Sequence, residues 1–224
     1  MGEYSVSAAT RNAIYRASRT LFYMKGIDDT SCRDIGYAAN VNKSLISYHF
    51  KSKNAIAELV LRDFVKSMVD AVEERWGTEA SEHAVRDTLV ELMMFRLLST
   101  NHNICRFYYE IQSEAFTFED STFEIQINVM REYAADCGVE ISESQLNTVT
   151  AMVQGTEREL VRLVFCGLLN ESIEDMVRRD VSCCFFLIGA ESDQVQRWID
   201  DAFRLAEGLT MVCDDTFTCR IVNV

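Results

Sequence analysis

The 224-residue chain contains no proline, and its longest uninterrupted apolar run is the eight residues 183–190. Proline interrupts helices more strongly than any other residue, so its absence favours long helices. A membrane-spanning helix needs about 20 apolar residues, so the short run argues against a span. The N-terminus also lacks a basic segment followed by an apolar one, which argues against a signal peptide. We therefore expect a cytoplasmic protein with no membrane partner.

The chain is also poor in the residue patterns of catalytic and metal sites. Its eight cysteines include no C-x-x-C pair, and there are only three histidines. This pattern predicts buried thiols rather than a disulfide framework, and it leaves no four-ligand metal set. The motifs G-x-S-x-G and H-E-x-x-H and the phosphate loop are missing. We therefore predict no catalytic residues, no metal, no cofactor and no enzymatic activity.

The residues that are present indicate a helical globular protein. Apolar residues make up 48% and charged residues 25% of the chain, close to the globular average. Six of the nine glycines fall where an apolar helical pattern ends, which is the usual place for glycine after a helix. Together with the absence of proline, this pattern predicts an all-α fold class.

The charge is divided unequally along the chain. The net charge is −13, which by itself argues against a nucleic-acid partner because phosphates repel acidic proteins. Residues 1–53, however, hold eight lysines and arginines against four acids, a net +4, so that residues 54–224 carry −17. Such a split is typical of a small polyanion-binding head on a larger acidic body.

The basic segment has the periodicity of three short helices. Residues 7–25 carry one apolar stripe that ends at Gly26, and residues 33–39 form a second helix. Asn40 suits the left-handed position of a turn, and residues 41–50 form a third helix before a fourth begins at about residue 54. This arrangement predicts a helix-turn-helix, whose later helix enters the major groove of DNA.

The third predicted helix has an inward and an outward face. The inward residues are Val41, Ile46 and Phe50, and the outward residues are Lys43, Ser44, Leu45 and Ser47.

The remaining chain predicts several amphipathic helices and two longer apolar seams. Ser142 caps a helix whose apolar or small residues recur every seven positions from 146 to 167. A second seam runs over residues 172–207, where Gly189 offers a break. The two seams can form a dimeric four-helix bundle. Residues 209–224 fit a strand or a coil equally well.

A dense set of motif residues lies between positions 14 and 53, and it ends with Tyr48-His49-Phe50 and Ser52-Lys53. The other members are Ala17, Leu21-Phe22, Gly26, Thr30-Ser31, Asp34-Ile35, Ala38-Ala39, Val41 and Lys43-Ser44. With these residues the segment resembles the DNA-binding domain of the tetracycline-repressor (TetR) family of transcriptional regulators. Three positions depart from the family pattern: Asn40 replaces a common glycine, Leu45 a frequent threonine and Ser47 a frequent aromatic residue.

The resemblance implies a domain organisation and a set of partners. It implies an N-terminal three-helix helix-turn-helix DNA-binding domain over residues 1–53 and a larger C-terminal helical ligand-binding and dimerisation domain over residues 54–224. The partners would be a second copy of the chain, an unidentified small-molecule effector and double-stranded DNA. A homodimer requires a pseudo-palindromic operator. The implied function is a repressor that its effector releases from the operator.

The chemistry of the predicted interface residues suggests individual roles. Thr30 and Ser31, at the start of the second helix, can direct hydroxyls and backbone N–H groups at a phosphate. Lys43 can reach a guanine edge or a phosphate, Ser44 either type of base, and Leu45 a thymine methyl group.

The family pattern adds four residues to these candidates. It places Arg33 where some members use an arginine on a base, and it places Tyr48, His49 and Lys53 on the DNA backbone. Ser47, on the outward face, completes the predicted DNA-binding set.

Two alternative functions remain open at this stage. A regulator of the same fold could respond to thiol oxidation, through Cys183, Cys184, Cys213 and Cys219, or to a metal. A helical enzyme acting on an apolar small molecule is the other alternative. For an apolar effector pocket, Arg96 or Arg106 could supply an orienting charge, while the residues that line such a pocket are not assigned.

Overall fold

A computed structural model of the chain describes residues 2–80, 82–113 and 122–224. Within these ranges the chain forms ten α-helices, a short 3-10 helix and one β-hairpin, which confirms the all-α fold class. None of the helices in these ranges combines the length and the apolar character that a membrane span requires. The elements are α1 Gly2–Lys25, α2 Cys32–Ala38, α3 Ser44–Phe50, α4 Lys53–Trp76, α5 His83–Thr100, α6 His102–Ile111, α7 Thr122–Asp136, α8 Glu143–Phe165, α9 Ile173–Ile188, α10 Ser192–Leu205, β1 Leu209–Cys213 and β2 Cys219–Asn223.

The N-terminal helices α1 to α3 pack around fully buried apolar residues, among them Ile14, Ile35 and Ile46. Helix α2 begins with a capping box. The Ser31 hydroxyl accepts a hydrogen bond from the Asp34 amide, and the Asp34 carboxylate accepts one from the Ser31 amide at 2.9 Å. These bonds from Ser31, together with Lys25 at 3.0 Å, lower the pKa of Asp34 to about 2. The start of α2 is therefore set by local hydrogen bonds.

The turn between α2 and α3 contains two positions at which most other side chains would be unfavourable. Asn40 takes the predicted left-handed conformation, with φ of 52°. Gly36 accepts a hydrogen bond from the Val41 amide at 2.8 Å, so the turn lies directly against it. The prediction that the third helix starts at Val41 is wrong: α3 begins at Ser44, because the Asn42 side chain accepts from the Ser44 amide at 3.0 Å and the preceding residues are used by the turn.

The N-terminal helices and the body share one continuous apolar core. An aromatic cluster lies at their junction. Phe22 of α1 stacks on Phe107 of α6 with ring centroids 6.3 Å apart, and Phe217 of the hairpin turn contacts Phe107 at 4.6 Å. Phe217 also meets Tyr23 and Phe64 edge-on at 6.2 Å and 5.9 Å. The C-terminal hairpin therefore holds the N-terminal helices against the body.

The two predicted apolar seams are present, but they face the interior of the chain's own body. Val153 of α8, Val181 of α9 and Trp198 of α10 are each less than a tenth exposed within a single chain. Helix α5 packs against α8, α9 and α10 and so covers these seams. The chain itself therefore buries much of both seams, and the dimeric four-helix bundle stays a prediction.

The structure at the C-terminal end answers two questions that the sequence left open: whether a helix breaks at Gly189, and whether the tail is strand or coil. The predicted break at Gly189 is confirmed: this residue has φ of 96° and separates α9 from α10. The tail forms an antiparallel hairpin in which Met211 pairs with Ile221 and Cys213 with Cys219. Ser67 of α4 accepts a hydrogen bond from the Cys219 amide at 2.8 Å, which ties the hairpin to α4.

We expect the Gly36→Ala substitution to lower the melting temperature. A Cβ atom at position 36 would lie 3.0 Å from the Val41 carbonyl oxygen and 3.4 Å from the Lys43 nitrogen, both of them backbone atoms. Crowding of this kind costs about 1–3 kcal/mol, which outweighs the helix propensity that alanine adds, about 1 kcal/mol. Thermal unfolding by circular dichroism measures the effect. Ser47→Ala, on the exposed face of α3, is the control and should change stability by less than about 0.5 kcal/mol; an unchanged melting temperature for Gly36→Ala would contradict the close approach.

Candidate nucleic-acid interface and the interior of the body

The exposed face of α2 and α3 carries most of the predicted DNA-binding residues. Ile46 and Phe50 anchor α3 in the core, and the Arg11 guanidinium covers the Phe50 ring at 4.6 Å. Because side chains on a helix repeat every 3.6 residues, this anchoring turns the opposite face outward. The exposed predicted residues are Ser31, Arg33, Lys43, Ser44, Ser47 and Tyr48.

Two predicted residues lie at the edge of this face rather than on it. Leu45 is half-buried and packs against the core, and His49 is half-buried with its ring 4.9 Å from that of Tyr48. Tyr48 itself is 77% exposed, so its ring is available for a contact outside the chain. The outward prediction for Leu45 is therefore only partly met.

Three predicted contact residues use their polar groups within the chain. Thr30 is fully buried and its hydroxyl donates to the Gly26 carbonyl oxygen at 2.5 Å, so the prediction that this hydroxyl points at a phosphate is wrong. The Ser31 hydroxyl belongs to the capping box with Asp34. The Lys53 ammonium donates to the Ile27 carbonyl oxygen at 2.5 Å and fastens the start of α4 to the corner between α1 and α2.

One residue of this surface was missed by the sequence analysis. Tyr37 is 91% exposed and lies one helical turn after Arg33 on α2, next to the exposed face of α3. A signal was available, because Ile35 and Gly36 face inward and the helical period turns position 37 outward. An exposed tyrosine beside a basic surface is suited to contact a phosphate or a base edge.

Helix α6 holds the N-terminal helices in place through polar contacts. Arg106 donates to the Tyr23 carbonyl oxygen at 2.9 Å, at the end of α1. The Glu110 carboxylate accepts from the Ile27 amide at 2.5 Å and from the Asp28 amide at 3.3 Å. Gly26 lies directly under this carboxylate, where a Cβ atom would collide with it. The corner between α1 and α2 is therefore bonded to α6.

Neither arginine considered as an orienting charge for an apolar effector is in such a role. Arg106 belongs to the junction just described. Arg96 donates to the Ala206 and Leu209 carbonyl oxygens at 2.9 Å and 2.6 Å and pairs with Glu174 at 3.0 Å. Both guanidiniums therefore hold structural elements together.

The other side of α6 reaches a group of partly or fully buried acids that the sequence analysis missed. We call Asp87 and Glu91 of α5, Glu157 of α8 and Asp180 of α9 the acidic cluster. Tyr108 of α6 donates to Glu157 at 2.7 Å. Gln112 and Gln126 also donate to Glu157, at 3.2 Å and 3.4 Å.

The other members of the acidic cluster contact one another or a tyrosine. The carboxyls of Glu91 and Asp180 lie next to each other, and Tyr133 of α7 is hydrogen bonded to Asp87. Asp87 also pairs with Arg86 at 3.0 Å. One oxygen of Glu91 is buried without a hydrogen-bond partner among the described residues.

Burial changes the titration of this group. Desolvation raises the pKa of Glu91, and the neighbouring Asp180 raises it further. Desolvation also raises the pKa of Glu157, Asp180 and Asp87. The carboxyls of Glu91 and Asp180 therefore favour the protonated form more than exposed acids do.

The cysteines considered for a redox switch are mostly protected. Burial raises the pKa of Cys184, whereas Cys183 is exposed beside it. Cys213 and Cys219 are buried opposite each other in the hairpin, and their mutual hydrogen bond and burial raise the pKa of Cys213. A raised pKa lowers the reactive thiolate fraction. The described residues include no group of three or more histidines, cysteines or acids arranged to hold a metal ion.

In this chain, an N-terminal helix-turn-helix with an exposed face on its third helix is joined to a larger helical body. The family described as "Bacterial regulatory proteins, tetR family" matches residues 14–60. The match covers much of α1, all of α2 and α3, and the start of α4.

Curated relatives are similar to part of the chain. The probable HTH-type transcriptional regulator YttP of Bacillus subtilis (strain 168) is 32% identical over 107 residues, which are 46% of this chain and 51% of the relative. The HTH-type transcriptional repressor KstR2 of Mycolicibacterium smegmatis is 36% identical over 61 residues, 27% of this chain and 30% of the relative. The chain thus spans about half or less of the length of these curated relatives.

Solved structures share the whole fold. RolR, solved in complex with the ligand resorcinol, aligns with a TM-score of 0.62 at 14% identity, over 88% of this chain and 96% of RolR. At this identity the likeness concerns the fold alone. It extends the correspondence beyond the helix-turn-helix to the body that contains the acidic cluster.

The acidic cluster generates a prediction about pH. The pKa of Glu91 is higher in the folded chain than in the unfolded one. Between these two pKa values the folded chain binds more protons than the unfolded chain. The free energy of unfolding therefore falls as the pH rises through this range. Glu91→Gln should therefore melt at a higher temperature than wild type at pH 8, and the gain should shrink as the pH falls toward 4.5, the ordinary glutamate value. Thermal unfolding across this range checks it, with Glu74→Gln, exposed on α4, as the control. A lower melting temperature for Glu91→Gln at pH 8 would show that the cluster stabilises the fold.

Proposed function

We propose that this chain is a sequence-specific transcriptional regulator that binds double-stranded DNA with the exposed face of α2 and α3. One observation carries the proposal. Ile46 and Phe50 fasten α3 to the core, so that Lys43, Ser44 and Ser47 project together from a short helix after a tight turn. A helix presented in this way fits the major groove, where lysine and serine side chains hydrogen bond to base edges.

The surrounding residues suit contacts with the DNA backbone. Arg33 and Tyr37 of α2 and Tyr48 of α3 are exposed beside the third helix. The Ser31 amide and hydroxyl are used by the capping box, so we assign Ser31 and Thr30 to shaping α2 rather than to contacts through their hydroxyls. His49 and Lys53 lie near the edge, where Lys53 would have to leave the Ile27 carbonyl to meet a phosphate.

We propose that the regulator is a homodimer and that its dimer surface is the outer face of α8 and α9. These two helices pack on each other, and each has an exposed apolar residue, Met152 at 50% and Phe186 at 74%. Exposed apolar side chains on adjoining helices are typical of a covered surface. A two-fold dimer would hold its recognition helices about 34 Å apart, one turn of DNA, and so require a pseudo-palindromic operator.

We assign DNA binding to a domain of residues 1–53, and effector binding and dimerisation to a domain of residues 54–224. The fold shared with RolR, a protein solved with resorcinol, supports a small-molecule site in the body. Helix α6 offers the link, since Arg106 and Glu110 contact the end of α1 while Tyr108 contacts the body's interior. An effector that repositions α6 would reorient the recognition helices and release a repressor from its operator. Such a regulator works in the cytoplasm, where bacterial DNA lies, and without catalysis.

Lys43→Ala and Tyr48→Ala should each weaken binding to an operator fragment at least tenfold, because Lys43 meets a base or a phosphate and Tyr48 the DNA backbone. Fluorescence anisotropy at several salt concentrations measures the affinity, and Lys43→Ala should also reduce the salt slope by about one if the lysine meets a phosphate. Lys66→Ala, which removes an exposed positive charge from α4, should leave affinity unchanged. Unaltered affinity in both variants of the proposed interface would refute the assignment.

Phe186→Glu should convert the proposed dimer to a monomer, because it would place two carboxylates in an apolar contact between the copies. Analytical ultracentrifugation of the wild type and the variant measures this change. Val65→Glu is the control, since Val65 is an exposed apolar residue at 38% on α4, outside the proposed surface. A wild-type monomer, or a variant that dimerises as tightly as wild type, would exclude this dimer surface.

A further inference from the structure

The interior of the body contains more carboxylates than its own cations can balance. Asp87, Glu91, Glu157 and Asp180 lie close enough to influence one another, and Arg86 at 3.0 Å from Asp87 is the ion-pair partner found for them among the described residues. Burying an acid without a cation or enough hydrogen-bond donors is costly. Glu91, Glu157 and Asp180 have no ion-pair partner among the described residues, which suggests that negative charge at this place has a function.

The hydrogen bonds of the cluster are completed unevenly. Glu157 receives donors from Tyr108, Gln112 and Gln126. Glu91 and Asp180 have each other, and one Glu91 oxygen has no donor. The unsatisfied oxygen of the cluster is therefore on Glu91, next to Asp180.

Two further polar atoms without partners are found on the helices around the acids. The Thr150 hydroxyl and the Gln112 side-chain oxygen are both buried and unpartnered among the described residues, and Thr150 is 0% exposed. Thr150 precedes Glu157 by seven residues on α8. Seven residues rotate an α-helix by about 20° less than two full turns, so the two side chains leave the helix on the same side. The unpartnered atoms are a carboxylate oxygen, an amide oxygen and a hydroxyl. The two side-chain oxygens of Glu91 and Gln112 need donors from a ligand, whereas the Thr150 hydroxyl can donate or accept.

Aromatic rings border the acids. Tyr133, which is hydrogen bonded to Asp87, stacks on Phe185 with centroids 4.8 Å apart, and Phe185 lies 5.3 Å from Trp198. The faces of such rings attract cations and pack well against flat apolar groups. The described acids, histidines and cysteines are not arranged as a metal-ligating group, so an organic cation suits this surrounding better than a metal ion.

We propose that the acidic cluster is the charged end of the effector site, and that the effector is an organic cation: an amine or amidinium group joined to an aromatic or apolar part. The nitrogen would donate to Glu91 and Asp180, while Tyr133 and Phe185 would contact the apolar part. This inference rests on the proposed function for its regulatory meaning. The link to the N-terminal helices is Glu157, which Tyr108 of α6 contacts.

The test compares cations with neutral molecules of the same shape on the full-length protein. Benzamidine is paired with benzamide, and phenethylamine with 2-phenylethanol, and isothermal titration calorimetry measures binding to wild type, Glu91→Gln and Glu74→Gln. We expect at least one cation to bind at least tenfold more tightly than its neutral counterpart. We expect Glu91→Gln to lose at least tenfold of that affinity, and Glu74→Gln, altered at an exposed acid, to match wild type.

Several outcomes would overturn the inference: equal binding of a cation and its neutral counterpart, tighter binding of the neutral molecule, binding of neither cation, or an unchanged affinity in Glu91→Gln. If Glu91→Gln does not fold, Asp180→Asn takes its place and the same criteria apply. Operator affinity is measured in parallel with and without the cation. Cation binding through Glu91 without any DNA binding would support the cation site and contradict the proposed regulatory function. DNA binding without cation binding would support the regulatory function and contradict the cation site.

Discussion

The attachment of the N-terminal helices to α6 is the constraint on which the rest of the structure depends. On one side of this ten-residue helix, Glu110 accepts the amides at the corner between α1 and α2, and Arg106 donates to the last turn of α1. Phe107 adds an apolar contact with Phe22 and Phe217. The orientation of α2 and α3 is thereby tied to the body. Since Tyr108 of the same helix is bonded to Glu157, one helix connects the proposed DNA-binding surface to the acidic cluster.

The parts of the fold that could be predicted from sequence are those determined by local chemistry. Gly26, Asn40 and Gly189 end helices or form turns because their backbones take left-handed conformations, and Ser142 caps α8 through its own hydroxyl. Each of these signals acts within a few residues. The element that covers the two apolar seams could not be predicted for a different reason: periodicity shows which face of a helix is apolar, not whether another helix of the same chain or a second copy covers it. Here α5 covers it.

The same distinction explains the candidate sites. The outward direction of Lys43, Ser44 and Ser47 follows from the helical period, and the inward direction of Ile46 and Phe50 follows with it. The partners of Thr30 and Lys53 did not follow, because a hydroxyl and an ammonium group can each satisfy a carbonyl oxygen or a phosphate, and the choice depends on the position of Gly26 and Ile27. The acidic cluster was invisible in sequence because its members are spread over three helices from residue 87 to residue 180, where single acids are typical of a solvent-facing surface.

The most direct measurement of the central claim is the recovery of genomic DNA fragments by the purified wild-type protein at low ionic strength, followed by sequencing. The account predicts enrichment of a small set of fragments that share a pseudo-palindromic sequence with half-sites about one helical turn apart, and a steep loss of binding as salt is added. Recovery of fragments in proportion to their abundance, or no recovery of duplex DNA at all, would contradict it.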